Sequence, residues 1–160
     1  MEDLRSIGID IRTLMDEAAE QYYPGMYRVE IETSYDVPYR SEGSTDQSYD
    51  SWVRDYKETS AHKLFTVALD GDEVVGFTMV WMPQTEGESA AVAYTGVLKE
   101  YRRKGIARAL KVASTIEAAR GGAPRMRTHN DPDNPPILHL NEEMGFRTVP
   151  GPVILKKTLG

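Results

Sequence analysis

Six of the 13 residues from Lys99 to Lys111 are basic and one is acidic, in a chain of 160 residues whose formal net charge is -6. The run sits where a β-rich segment, Ala91 to Leu98, gives way to a segment of helical spacing, about Gly105 to Ala119. A helix start carries partial positive charge and favours anions. Arg102, Arg103 and Lys104 therefore crowd the helix end that repels them, and an anion held between them resolves the conflict. Gly105 lets backbone N–H groups come close to that anion. The chemistry these residues imply is the capture of a phosphate or pyrophosphate.

A second polar cluster runs Thr128-His129-Asn130-Asp131-Pro132-Asp133-Asn134, between a short strand and a helix. Asn134 either bonds the amides of an extended ligand or caps the helix. Asn141 follows seven residues later, two helical turns on, and shares a face with Ile137, Leu140 and Met144. An amide among core positions needs hydrogen-bond partners, so it is either bonded to a ligand or satisfied within the protein. His62, His129 and His139 are dispersed without metal-ligand spacing, and no metal is expected.

The elements that position these clusters can be read from periodicity. Ile11, Leu14, Met15, Ala18 and Ala19 have helical spacing over residues 10–21, with Pro24-Gly25 as the stop. Met26 to Tyr35 carries two periods, Val29 and Ile31 alternating like a strand and Tyr27, Ile31 and Tyr35 lining up on a helix, and is read as a helix. Asp36 to Gln47 reads as a polar loop, and Ser48 to Lys57 as a short helix carrying Trp52, Val53 and Tyr56. Leu64 to Leu69 and Val74 to Met82 flank Asp70-Gly71-Asp72-Glu73, a hairpin signal. Ala91 to Leu98 is a third strand. On the helix that follows, Ile106, Ala109, Leu110, Ala113 and Ile116 form one apolar face, and Gly121-Gly122 and Pro124 end it. Arg125 to Thr128 reads as a strand, and Pro135 to Met144 as a helix closed by Gly145. Phe146 to Val149 and Val153 to Lys157 are the last expected strands. The order gives a mixed α/β domain.

Composition narrows the function classes. A chain of this length forms one domain with a real core. No apolar run approaches the roughly 18–20 residues that span a bilayer, the N-terminus lacks a signal-peptide core, and there is no cysteine. A cytoplasmic protein without membrane contact is expected. Residues 1–90 hold 19 acids against 7 Lys and Arg, while residues 91–160 hold 6 acids against 12 Lys and Arg. The basic charge is concentrated in one turn, not a groove-sized stripe, so a compact polyanion fits better than nucleic acid. The acidic half either attracts a cationic or amine substrate or is a solvated surface. The P-loop order Gly-Lys-Ser/Thr and the dinucleotide Gly-x-Gly-x-x-Gly are both absent.

The strand ending at Val97, the turn Arg102-Arg103-Lys104-Gly105-Ile106-Ala107, Asn134, and the closing Met144-Gly145-Phe146 resemble the GNAT acyltransferase superfamily over about residues 64–157. The spacing of Thr128, Asn130, Asn134, Ile137, Asn141 and Met144-Gly145-Phe146 is similar to the tandem GNAT branch that includes mycothiol synthase-like proteins. The resemblance implies a mixed, mostly antiparallel central sheet with a splayed parallel strand pair and flanking helices. It implies an N-acetyltransferase that takes acetyl-CoA as co-substrate and a small-molecule or peptide amine as acceptor. Backbone groups of Val97, Leu98 and Lys99 would bond the pantetheine arm, Arg102, Arg103, Lys104, Gly105, Ile106 and Ala107 would hold the pyrophosphate, and Asn134 would contact the arm further along. Asn141, counted with the cofactor-binding residues, would position a water or the thioester. Arg108 and Lys111 are added to the outer phosphate on charge alone.

Many relatives carry a tyrosine as proton donor where this chain has Asn141, and an amide cannot donate a proton as a phenol does. Asn141, His129 and Thr95 are the catalytic candidates, with Glu86 and Glu88 as further carboxylates ahead of the strand. Tyr94 is expected to point to the face opposite Thr95. In this reading residues 1–160 form one domain, with 1–63 a helical substrate-side region and 64–160 the CoA-binding core. The alternative is a non-catalytic CoA-binding or interaction module descended from a tandem protein, and a homodimer would cover the surface a lost partner left. The tyrosines between Tyr22 and Tyr56 line a cleft or form a core edge.

Overall fold

A computed structural model describes residues 2–34, 47–58, 62–132 and 134–149. The elements in chain order are α1 (Glu2–Ser6), β1 (Ile9–Met15), a 3-10 helix (Asp16–Tyr22), α2 (Tyr23–Ser34), α3 (Tyr49–Glu58), β2 (Lys63–Asp70), β3 (Glu73–Trp81), β4 (Ala90–Val97), a 3-10 turn (Lys99–Tyr101), α4 (Ile106–Arg120), β5 (Met126–Thr128) and α5 (Pro135–Glu143).

The five strands lie in the order β1-β2-β3-β4-β5. The first three junctions are antiparallel, and β4 pairs with β5 in parallel. That parallel ladder covers only Ala90 to Val92 against Met126 to Thr128. From Ala93 to Val97 no strand lies beside β4 on that side among the described residues. This is the splayed strand pair expected above, and the mixed sheet agrees with the α/β reading.

Residues 10–21 do not form one helix: they divide between β1 and the 3-10 helix. Ile9, Ile11 and Thr13 are β-branched at alternate positions, and β1 pairs in register with β2 from Ile9 opposite Asp70 to Met15 opposite Leu64. The helical spacing arises because a strand runs straight into a 3-10 turn, whose Ala19 is fully buried. The region 1–63 therefore contributes an edge strand as well as helices. Pro24 and Gly25 open α2 instead of ending a helix. Pro24 falls in the first turn, where its missing N–H is not needed. At position 25 a Cβ would lie 2.7 Å from the Val74 side chain, so glycine lets α2 rest directly on β3. Phe146 to Val149 forms no strand. Its expected partner, Val153 to Lys157, lies outside the described residues, as does Asp36 to Asp46 of the expected loop.

The core has two parts. The larger packs Tyr23, Met26, Val29 and Trp52 of α2 and α3, and Ile106, Ala109 and Leu110 of α4, against Phe65, Val67, Val75 and Phe77 of the central strands. The smaller joins Leu64, Val80, Val92 and Ala118. Four threonines stand in register across the sheet, Thr13, Thr66, Thr78 and Thr95. The Thr78 and Thr95 hydroxyls are 2.8 Å apart, and both donate to the Tyr94 carbonyl. A rigid sheet thus holds β4 in place while leaving its outer edge open.

Candidate active site

The basic turn adopts the geometry its composition implies. Gly105 caps α4 in the left-handed region (φ 80°), and Arg103 two residues earlier is also left-handed (φ 61°). Alternating backbone of this kind turns successive N–H groups into one concavity suited to anions. The first backbone donor of α4 to find a backbone acceptor is Ala109, on Gly105 at 3.0 Å. The N–H groups of Arg103 to Arg108 have none among the described residues. A Cβ at Gly105 would meet nothing within 4 Å, so the space before the helix end is open.

A cavity of about 860 Å³ starts at this turn, within the size range of small-molecule sites. Its end at the basic turn is lined by Arg102, Arg103, Gly105, Ile106, Ala107 and Arg108, by Asn134, and by Pro136, Ile137, Leu140 and Glu143 of α5. It then follows the open edge of β4 past Val97, Gly96, Thr95 and Tyr94 and ends against Glu30, Ile31, Thr33 and Ser34 of α2 and Trp52 of α3. Among the described residues, the groups present fit a coenzyme with a diphosphate and an amide-bearing arm: unbonded N–H groups under an open approach, then a strand edge without a neighbour.

The sequence-predicted site residues fall into three groups. Arg102, Arg103, Gly105, Ile106, Ala107, Arg108, Asn134, Thr95 and Val97 line the cavity. Leu98, Lys99 and Lys104 flank it without lining it. The Leu98 N–H donates to Val75 (2.9 Å), the Val97 carbonyl accepts from Arg102 Nε (2.9 Å), and Lys104 Nζ sits 4.7 Å from the Tyr101 ring. The free strand edge therefore lies one turn earlier than expected, at Ala93 to Val97. Arg108 is held by Glu143 at 3.0 Å. Lys111 points elsewhere: it is 1 % exposed, with Nζ 5.4 Å from the Phe146 ring, and burial alone lowers its pKa to about 8.

Asn141 does not reach the cavity. It is buried, its Nδ2 donates to Asn130 Oδ1 at 2.7 Å, and its Oδ1 has no partner. The two-turn spacing from Asn134 fails as a guide because Asn134 is the cap of α5, at φ -115° and ψ 72°, off the helical spiral. The cavity face of α5 is Pro136, Ile137, Leu140 and Glu143. His129 is exposed and away from the cavity. Of the three catalytic candidates only Thr95 lines the cavity, and its hydroxyl is occupied by the Tyr94 carbonyl. Glu86 and Glu88 are exposed residues of the β3–β4 connection.

Sequence reasoning missed Glu30 and Tyr94. The Tyr94 side chain does leave β4 on the face opposite Thr95, yet both line the cavity, because the cavity wraps around an unpaired edge and so meets both faces. The Tyr94 phenol lies over Gly96 and bonds the Thr33 hydroxyl of α2. Burial raises its pKa. Glu30 accepts hydrogen bonds from Trp52 Nε1 (3.0 Å) and Tyr56 Oη (2.7 Å), both on Oε2. Burial raises its carboxyl above the ordinary range, against the lowering effect of both donors. The one sequence signal was an acid set between Val29 and Ile31. The tyrosines resolve into a packed ring cluster: Tyr23, Tyr27, Tyr49 and Tyr56 surround Trp52, with Phe65 behind. Tyr35 and Tyr39 lie outside the described residues.

Known structures share this architecture. An aminoglycoside acetyltransferase from an uncultured soil metagenomic sample, in complex with sisomicin, superposes with a TM-score of 0.72 at 15% identity, over 97% of this chain and 99% of that one. AAC(6')-Iy in complex with a CoA-containing bisubstrate analogue gives 0.66 at 16%, over 94% and 99%. A transcriptional regulator from Bacillus halodurans C-125 gives 0.68 at 19%, over 91% and 100%. At such identities the likeness shows the fold alone. No curated protein matches the sequence. The family assignment rests on the sequence itself: residues 14–146 match the Acetyltransferase (GNAT) family, and this chain belongs to it.

Proposed function

We propose that this protein transfers the acetyl group of acetyl-CoA to the nitrogen of a small-molecule or peptide amine. The observation that carries the reading is continuity. One cavity joins the unbonded N–H groups at the start of α4 to the strand-free edge of β4 and on to a pocket under α2 and α3. The N–H groups of Arg103 to Arg108 would hold the pyrophosphate, with Arg102 and Arg103 adding charge. The edge from Ala93 to Val97 would hold the pantetheine arm. Bound acetyl-CoA supplies the thioester. Strand N–H groups beside it are preorganised donors for the oxyanion that forms as the amine attacks. Holding thioester and amine in one narrow passage supplies the orientation term. Solved structures of the same architecture are complexes with sisomicin and with a CoA-containing bisubstrate analogue of acetylneamine, which supports an amine acceptor.

The test is a calorimetric titration with acetyl-CoA, followed by detection of free thiol across a panel of amines. Saturable binding and amine-dependent thiol release are expected. Binding without release across the panel would leave a coenzyme-binding module, and no binding would end the proposal. The proposal also keeps residues 1–160 as one domain, with the acceptor pocket drawn mainly from 1–63 and the coenzyme path from 64–160. It includes a cytoplasmic homodimer, which sedimentation would check. No helix among the described residues is long and apolar enough to cross a membrane.

A further inference from the structure

Two acids line the cavity among the described residues, and they stand at opposite ends. Glu143, at the coenzyme end, is engaged by Arg108 at 3.0 Å and lies 3.4 Å from His139. Glu30, at the far end, has no cation partner among the described residues. Its Oε2 takes Trp52 Nε1 and Tyr56 Oη, and among the described residues Oε1 receives no donor. Around it the wall carries Trp52, Tyr94 and Ile31, with Thr33, Ser34 and Gln47 as its polar members. Their donors are engaged elsewhere: the Thr33 and Tyr94 hydroxyls bond each other, Thr33 also donates to the Val29 carbonyl at 2.8 Å, Ser34 donates to the Ile31 carbonyl at 2.7 Å, and Gln47 Nε2 donates to Asp55. A carboxylate in such a place is costly unless something brings it a charge and a donor.

We propose that Glu30 Oε1 receives the acceptor's ammonium and takes its proton, and that the acceptor is a monocationic primary amine on an aromatic or aliphatic body. The assignment rests on the N-acetyltransferase reading above. The proton balance is simple. The ammonium gives one proton to the Glu30 carboxylate, and the free amine forms a bond to the acetyl carbonyl carbon. The carbon–sulfur bond breaks, the nitrogen's second proton goes to the departing thiolate, and Glu30 returns its own proton to solvent. Acetamide and thiol are the products. The walls argue for the rest of the acceptor. Aromatic faces attract a cation and bury the carbon next to it. One carboxylate balances one charge, and a second ammonium on the same molecule would enter this wall unpaired.

The experiment uses the full chain, with 2-phenylethylamine and spermidine as probes and acetyl-CoA titrated separately. The wild-type protein should acetylate 2-phenylethylamine at least about tenfold more efficiently than spermidine. Glu30→Gln should keep acetyl-CoA affinity within about threefold, which also reports that it folds, while kcat/KM for 2-phenylethylamine falls about 100-fold or more. Glu30→Asp should recover part of kcat. The outcomes separate two failures. If acetyl-CoA does not bind, or neither amine is acetylated, the N-acetyltransferase reading falls and takes the inference with it. If acetylation proceeds but Glu30→Gln leaves kcat/KM within threefold, or spermidine is preferred, the inference alone is overturned.

Discussion

The two ends of the cavity are made differently. The coenzyme end is built from backbone: a short turn with two left-handed residues and a row of N–H groups, all within six residues of one another. The acceptor end is built from side chains that meet from afar. Glu30 meets Trp52 and Tyr56 across 22 and 26 residues, and Thr33 meets Tyr94 across 61. A backbone site tolerates many side chains and accepts one ligand chemistry, because peptide N–H groups are the same in every sequence. A side-chain site can be rewritten residue by residue. Under the proposed function, coenzyme recognition belongs to the first end and acceptor choice to the second.

Substitutions should respect that division. The largest effect is expected at Gly105→Glu. The added side chain would be strained at φ 80°, and its charge would sit where the phosphates approach. Acetyl-CoA affinity should drop about 100-fold or more by calorimetry. The fold should survive, because nothing lies within 4 Å of the new Cβ. Unchanged affinity would break the backbone account of this end.

The next effect belongs to the acceptor end. A Cβ at Gly96 would lie 2.1 Å from the Tyr94 hydroxyl and 3.0 Å from the Thr33 hydroxyl. Gly96→Ala should push the Tyr94 ring off the strand and break its bond to Thr33. We expect KM for the amine to rise about tenfold with acetyl-CoA affinity nearly unchanged, and stability to fall by ~1–3 kcal/mol. An equal loss at both ligands would show that the ends are not separable.

Lys111 tests whether charge near the turn implies a phosphate role. It is buried without a carboxylate partner among the described residues, and its pKa is about 8. Between about pH 8 and the ordinary lysine value of ~10.5 the native state binds fewer protons than the unfolded chain, so stability should rise with pH through that window. Lys111→Met should remove that rise, add ~1–3 kcal/mol at pH 7 and leave acetyl-CoA affinity within threefold. Denaturant unfolding at several pH values checks it. The smallest effect is expected at Asn141→Ala, which removes the bond to Asn130 and an unpartnered oxygen together. A loss of ~1 kcal/mol with kcat within threefold would mark a structural amide, and a large loss of kcat would return it to the active site.

Legibility followed the same line as the chemistry. The hairpin, β4, α4 and α5 were readable because their periods, turns and stops lie within a few residues of one another. Gly145 closes α5 in the left-handed region as expected (φ 85°). β1 was misread because its apolar spacing merges with that of the 3-10 turn behind it, and only pairing with β2 makes it a strand. Asn141 was misplaced because a cap residue was counted as part of a helix. Glu30 gave almost no signal: an acid on a helix is ordinarily solvated, and nothing local says that Trp52 and Tyr56 will close over it.

The linear chain by itself determined the family, the α/β class and the left-handed basic turn at the start of α4, since each depends on neighbours within a turn or two. Tertiary folding alone decided that β4 would lie open beyond Val92, that Tyr94 and Thr95 would border one cavity, and that a carboxylate from α2 would face it half satisfied. The reason is range. Backbone geometry is set by local residues, whereas burial, desolvation and hydrogen-bond partnership are set by whichever segments packing brings together.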